Sequence, residues 1–168
     1  MTADEDEGEE GAPPVAMLQA LFEAHGWPNE RSGDEEVSAQ APGSWTQVEL
    51  RAAWRHDDRV LQFLALPDIR VPGDKRAAIY ETLGLINEQL WVGHFELWSS
   101  SGALLFRHAL LLDGEGDAAL SQEMAETLID GAIDEIERFF PVFQFVLWGD
   151  KSPREAIDAA LIDTRGEA

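Results

Sequence analysis

The sequence predicts an α+β protein built on an antiparallel sheet. Some stretches place apolar residues at helical spacing, and others alternate apolar and polar residues with a period of two. The strands come in runs separated by helices, which favours antiparallel pairing over a parallel, doubly wound sheet. The predicted order of elements is α-βββ-α-ββ-α-α.

The first predicted helix follows Pro13-Pro14, and Gly26 supplies a left-handed stop. Its inward positions recur at helical spacing: Val15, Leu18, Leu21 and Phe22. Six of the first ten residues are acidic and none is basic. Such a segment buries no apolar surface, so we expect residues 1–12 to form a disordered acidic tail and residues 13–168 to form one domain.

Three antiparallel strands are predicted next. Residues 37–41 alternate in polarity up to a turn at 42–44, and residues 45–56 show the clearest alternation in the chain. Asp57-Asp58 forms a hairpin turn, and residues 59–66 form the returning strand.

A second helix is predicted after Pro72-Gly73, with Asp74 as its N-cap and Gly93 at its end. One face of this helix carries Ile79, Leu83, Ile86 and Leu90. A hairpin of residues 94–99 and 103–112 follows, joined at Ser100-Ser101-Gly102.

A third helix is predicted from about Leu120, with Met124, Leu128, Ile136 and Phe140 facing inward. Pro141 is expected to break or kink it. Residues 142–148 are ambiguous between helix and strand, and Gly149 favours helix. A capping box, Ser152-Pro153-Arg154-Glu155, opens a last helix that runs to about Ile162.

Composition limits the function. The chain has 168 residues, enough for one domain, and it has no cysteine, which excludes disulfides and thiolate chemistry. No leader or apolar span stands out, so we expect a cytoplasmic protein. The net charge of −21 disfavours nucleic acid and anionic membranes and favours cationic partners.

Two predicted strands, 59–66 and 103–112, are apolar on both faces. They are either central strands covered on both sides by the chain's own helices, or part of a surface that another chain covers. The second alternative predicts a homodimer or a protein or peptide partner. The candidate partner-binding residues are Phe63, Leu64, Leu66, Trp98, Leu105 and Phe106.

No catalytic, phosphate-binding or cofactor motif occurs, so we expect a non-enzyme without a cofactor. One alternative is a metal-dependent hydrolase, in which His94 and Glu96 on one strand and His108 on its partner converge. Another is a small-ligand sensor with a pocket between helices and sheet. Bases are scarce, which draws attention to Arg51, Arg55, Arg70 and Arg107.

Four blocks of sequence carry a family resemblance: Arg70-Val71-Pro72, IYETLGLINEQLWVGHFELW at 79–98, FRHALLL at 106–112 and ERFFPVFQFVLWGDKSPREAIDAAL at 137–161. They resemble the alphaproteobacterial branch of the YbjN-domain family of bacterial sensory-transduction regulators. The resemblance spans residues 13–168. It implies a fold similar to type III secretion chaperones of the CesT/Tir class, which are homodimers that hold partner segments on apolar surface. It supplies no catalytic residues.

Residues and resemblance together predict a chaperone-like or regulatory binding protein that acts as a homodimer in bacterial signalling or stress regulation.

Overall fold

The computed structural model describes residues 12–113 and 120–165, with side chains up to residue 160. Most of the predicted acidic tail, and the acidic loop after Asp113, lie outside the described residues. None of the described helices is long and apolar enough to cross a membrane.

The described residues form four α-helices and six β-strands. The helices are α1 (Pro14–Ala24), α2 (Arg76–Asn87), α3 (Gln122–Leu147) and α4 (Pro153–Arg165). The strands are β1 (Asn29–Ser32), β2 (Glu36–Ala41), β3 (Val48–Arg55), β4 (Val60–Pro67), β5 (His94–Leu97) and β6 (Leu104–Leu111).

The six strands make one sheet in the order β1-β2-β3-β4-β6-β5, and every pairing is antiparallel. The two long hairpins therefore meet where β4 pairs with β6. These two strands are central, while β1 and β5 form the edges of the sheet.

All four helices contribute to one apolar core with one face of the sheet. Alternation decides which strand residues point there, because successive side chains of a strand lie on opposite faces. In β3 the buried positions are Val48, Leu50, Ala52 and Trp54, as the sequence predicted. Their partners across the ladder carry the same face into β4, where Ala52 pairs with Phe63.

Strand β1 was not predicted. Its residues, Asn-Glu-Arg-Ser, are polar and mostly exposed, so no alternation in hydrophobicity indicates a strand. Its conformation depends on pairing with β2, from Asn29 opposite Ala39 to Ser32 opposite Glu36. The observed order is therefore α-ββββ-α-ββ-α-α.

Helix α3 differs from prediction in two places. The predicted break does not occur, because α3 continues through Pro141 to Leu147 and buries apolar side chains on both sides of the proline, including Phe140 and Val142. Met124 was expected inward but is 43% exposed, since it lies in the first turn of the helix. Residues 142–147 are helical, as favoured.

The boundaries of the other helices follow their predicted residues in part. Asp74 does not cap α2 but lies in a short 3₁₀ turn before the helix. Neither the 3₁₀ turn nor α2 has a side-chain hydrogen bond at its N-cap. The helix ends at Asn87, earlier than Gly93. The predicted start of α4 is confirmed at its N-cap: Glu155 donates its backbone N–H to Ser152 Oγ at 3.2 Å. The Ser152 hydroxyl also donates to Glu155 Oε1 at 2.8 Å, a bond between side chains in place of the second bond of a capping box.

Candidate binding surface on the open sheet face

The sheet has one face without helices, which we call the open face. It is carried by the residues that alternate with the core positions. Across the strands from edge to edge they include Glu30, Ser32, Glu36, Ser38, Gln40, Glu49, Arg51, Ala53, Gln62, Leu64, Leu66, Leu105, Arg107, His94, Glu96 and Trp98.

The centre of the open face is apolar. Leu64 on β4 lies between Arg51 and Arg107 of the neighbouring strands and is 7% exposed. Leu105 on β6, opposite Glu96, is fully buried although no helix lies on this side. Their register neighbours on this face are long polar side chains, whose aliphatic stems can lie along apolar surface while the charged ends stay in water. Leu66 is only half-buried.

Glu96 organises the polar cover. Its Oε1 lies 2.7 Å from His94 Nε2, and its Oε2 accepts from Arg107 Nη2 at 2.9 Å and from Trp98 Nε1 at 3.2 Å. Arg107 also donates from Nη1 to Gln62 Oε1 at 3.3 Å, which links β6 to β4. The network therefore spans the three strands at one end of the open face.

Burial acts to raise the pKa of Glu96, but the hydrogen bond from His94 and the charge of Arg107 outweigh it, so the pKa lies below its ordinary value. The carboxylate is thus ionised at neutral pH and keeps its partners in place. Removing Arg107 would leave a half-buried negative charge with fewer donors.

The other end of the open face is concave. Residues of β1 to β4 enclose about 750 Å³ there, with Glu30, Glu36, Arg51 and Ala53 among the lining. The carboxylate of Glu49 receives two hydrogen bonds from Arg51, at 3.0 and 3.1 Å, so that these two charges are paired. This concavity lies on the open face, not between helices and sheet, where a small-ligand site was considered.

The six candidate residues separate into two groups. Leu64, Leu66, Trp98 and Leu105 all belong to the open face. Phe63 and Phe106 point into the helix-covered core, where they are at most 3% exposed.

The convergence of His94, Glu96 and His108, considered as the alternative of a metal-dependent hydrolase, does not occur. Arg107 is the register partner of His94, so His108, one residue later, points to the opposite face and pairs with Phe63. Burial lowers the pKa of His108, as expected for an imidazole near apolar side chains. Among the described residues, no group of three or more metal-ligating side chains comes together.

Gln62 is a member of this surface that the sequence did not single out, and Arg107 was noted only because bases are scarce. A usable signal was present, because Asp57-Asp58 fixes the β3–β4 hairpin and β3 alternates cleanly. Residues that pair across two strands lie on the same face, so the inward positions of β3 predict the inward positions of β4. Gln62 and Leu64 then fall on the open face.

Comparisons with known proteins agree with this architecture. A family model named YbjN, described as "Putative bacterial sensory transduction regulator", matches residues 14–145. The crystal structure of the ExsC–ExsE complex matches with a TM-score of 0.52 and 21% identity, covering 74% of this chain and 88% of the other. The crystal structure of YbjN from E. coli matches with a TM-score of 0.47 and 14% identity, covering 74% and 92%. No curated protein matches. The likeness to the ExsC–ExsE complex confirms the predicted fold class.

Proposed function

The chain belongs to the YbjN family, and on this premise we propose that it is a non-enzymatic regulatory protein that holds a partner protein on its open sheet face. The observation that carries the proposal is the one-sided sheet. Helices cover one face only, and the opposite face presents an apolar centre beside a concavity. Beside this buried centre Leu66 and Trp98 stay partly exposed, and apolar side chains exposed on a sheet face are typical of interaction sites.

The contact residues we propose are Leu66 and Trp98, with Leu64 and Leu105 beneath the polar cover. Leu66 and Trp98 offer only a small apolar contact, because covering one exposed Leu side chain contributes about 2 kcal/mol to the free energy of binding. A partner must therefore also use the surrounding polar groups.

We further propose that the protein is a homodimer whose subunits meet at the free half of β6. Strand β5 begins at His94, opposite Arg107, so β6 extends past it. The backbone groups of Ala109 and Leu111 point to that vacant side by alternation. Leu111 is 81% and the neighbouring-loop residue Trp91 is 99% exposed. Two copies of the chain can place their segments around Ala109 and Leu111 side by side as antiparallel strands, related by a twofold axis.

We place this activity in the cytoplasm, in bacterial signalling or stress regulation, as the family description and the cysteine-free composition favour.

The test of the partner site is affinity co-purification from the native cell with Leu66→Asp beside wild type. The matched control is Met124→Asp, which puts the same charge at an exposed apolar residue of α3, outside the open face. Partners retained by wild type and the control but lost by Leu66→Asp support the proposal. Equal retention by all three proteins, with unchanged thermal unfolding, contradicts it.

Light scattering tests the dimer separately. Wild type at high micromolar concentration should have twice the 18.6 kDa mass of one chain, and Leu111→Lys should have the monomer mass. A monomeric wild type at that concentration would refute the dimer while leaving the partner site open.

A further inference from the structure

The outer edge of β1 has unpaired backbone groups. Gln40 donates its N–H to the carbonyl of Pro28 at 2.9 Å, which makes this pair a hydrogen-bonded one. Hydrogen-bonded and non-hydrogen-bonded pairs alternate along an antiparallel ladder, so the backbone N–H and C=O groups of Glu30 and Ser32 also point toward β2. The N–H and C=O groups of Asn29 and Arg31 consequently point outward, and neither residue's backbone groups find a partner within the part of the chain that the structure describes.

The opposite edge of the sheet is covered at Phe95. On β5 the backbone groups of Phe95 point outward, and both are paired with the side-chain amide of Asn87. Phe95 N–H donates to Asn87 Oδ1 at 2.8 Å, and Asn87 Nδ2 donates to the Phe95 carbonyl at 3.1 Å. A side chain from α2 thus occupies the positions that an added strand would need. The two edges therefore differ in accessibility.

The open edge is also acidic on its open-face side. Glu30 and Glu36 lie there, on diagonally related positions of β1 and β2, and both line the concavity. Neither carboxylate has an ion-pair or hydrogen-bond partner among the described residues. The one base of β1, Arg31, is turned to the hairpin, where it bonds the Gly33 carbonyl at 2.7 Å and Asp34 at 2.9 Å. The whole chain carries −21.

We propose that the edge of β1 binds an extended segment of a partner protein that carries Lys or Arg at alternate positions. The segment adds as a seventh strand, paired with Asn29 and Arg31. Its basic side chains on one face reach Glu30 and Glu36 across the mouth of the concavity. Backbone pairing supplies affinity without sequence preference, and the two carboxylates select for basic side chains. The inference rests on the proposed binding function and names the class of partner.

The probe is a fluorescently labelled eight-residue peptide of alternating Lys and Val, measured by anisotropy against the full chain. Three control peptides separate the contributions: one with Glu in place of Lys, and two in which alternate backbone nitrogens, of one parity or the other, are methylated. Methylation keeps the charge but removes the N–H groups of that parity. We expect the Lys peptide to bind, the Glu peptide not to bind, and at least one methylated peptide to lose about tenfold or more in affinity.

Variants of the chain test the same contact from the other side. The double variant Glu30→Gln/Glu36→Gln should weaken binding of the Lys peptide by about tenfold, since each exposed charge pair contributes up to ~1 kcal/mol. Arg31→Pro removes one outward N–H, and Arg31→Ala keeps it, so only the proline variant should lose affinity beyond the effect of the lost side chain.

Amide hydrogen exchange decides between strand addition and loose electrostatic attraction. The N–H groups of Asn29 and Arg31 should exchange fast in the free protein and slowly with the Lys peptide bound. Binding that leaves both amides unprotected, or binding of both methylated peptides as tight as that of the unmethylated Lys peptide, overturns the inference. Met124→Asp, which lies outside the open face, should bind the peptide as wild type does. If Leu66→Asp loses cellular partners while wild type shows no peptide binding, the open-face function stands and this inference alone fails.

Discussion

Asn87 offers the most direct test of how the sheet edges differ. Replacing it with Ala removes two hydrogen bonds to the backbone of Phe95, of 2.8 and 3.1 Å. Each contributes about 1 kcal/mol net, or about 2 kcal/mol together. Because Asn87 is the last residue of α2, Ala recovers about 0.5 kcal/mol of helix propensity. We therefore expect Asn87→Ala to lower the free energy of unfolding by about 1.5 kcal/mol.

Urea unfolding followed by tryptophan fluorescence measures this loss. With a slope of about 2 kcal/mol per molar, the midpoint should fall by about 0.8 M. Gln89→Ala is the matched control, because this exposed amide side chain makes no hydrogen bond among the described residues, and its midpoint should not move. Asn87→Asp should be at least as destabilising as Ala, since a carboxylate oxygen would then face the Phe95 carbonyl. If Asn87→Ala and Gln89→Ala have the same urea midpoint, the Asn87 side chain does not cover the β5 edge. The proposed difference in accessibility between the β5 and β1 edges is then unsupported.

Two further predictions concern the core. Gly93→Ala should cost about 3 kcal/mol in the same urea experiment, because Gly93 has φ +74° and an added Cβ would lie 2.3 Å from the ring of Phe106. Gly84→Ala, where nothing lies within 4 Å inside α2, should instead stabilise by about 1 kcal/mol, and a loss at both sites would refute the steric argument. Glu135→Met should raise the free energy of unfolding by about 1 kcal/mol at pH 7, since Glu135 Oε2 is buried and has no hydrogen-bond partner among the described residues. Burial raises the pKa of this carboxyl in the folded chain, so ionisation destabilises it, and the advantage of the variant should shrink as the pH falls; an advantage that grows in acid contradicts this.

The parts of the fold that the sequence predicts well are those with a one-sided pattern. Strand β3 alternates because one face meets the core and the other meets water, and its burial follows that alternation residue by residue. The start of α4 is predicted because Ser152 and Glu155 act locally, through hydrogen bonds three residues apart. In both cases the information lies within a few residues of the element that it specifies.

The rest depends on contacts between distant segments. Strand β1 has no apolar pattern and exists through its ladder with β2. Pro141 remains within a helix because the apolar side chains around it pack in the core, which outweighs the local preference. Strand β4 is apolar on both faces, as the neighbours Phe63 and Leu64 show. Hydrophobicity alone therefore does not tell which face the helices cover. The register with β3 makes that choice.

The apolar residues of β4 and β6 that suggested a binding role separate into buried and partly exposed ones. Leu64 and Leu105 are buried beside their register partners Arg107 and Glu96, while Leu66 stays half-exposed. A partner that buries its own apolar side chains against Leu64 must first break the bond from Arg107 to Glu96, and charge-assisted bonds of this kind contribute about 2 kcal/mol. A partner that keeps the network and pairs with backbone and carboxylates at the edge avoids that cost. Polar, extended partners are therefore favoured over an apolar helix laid on the same face.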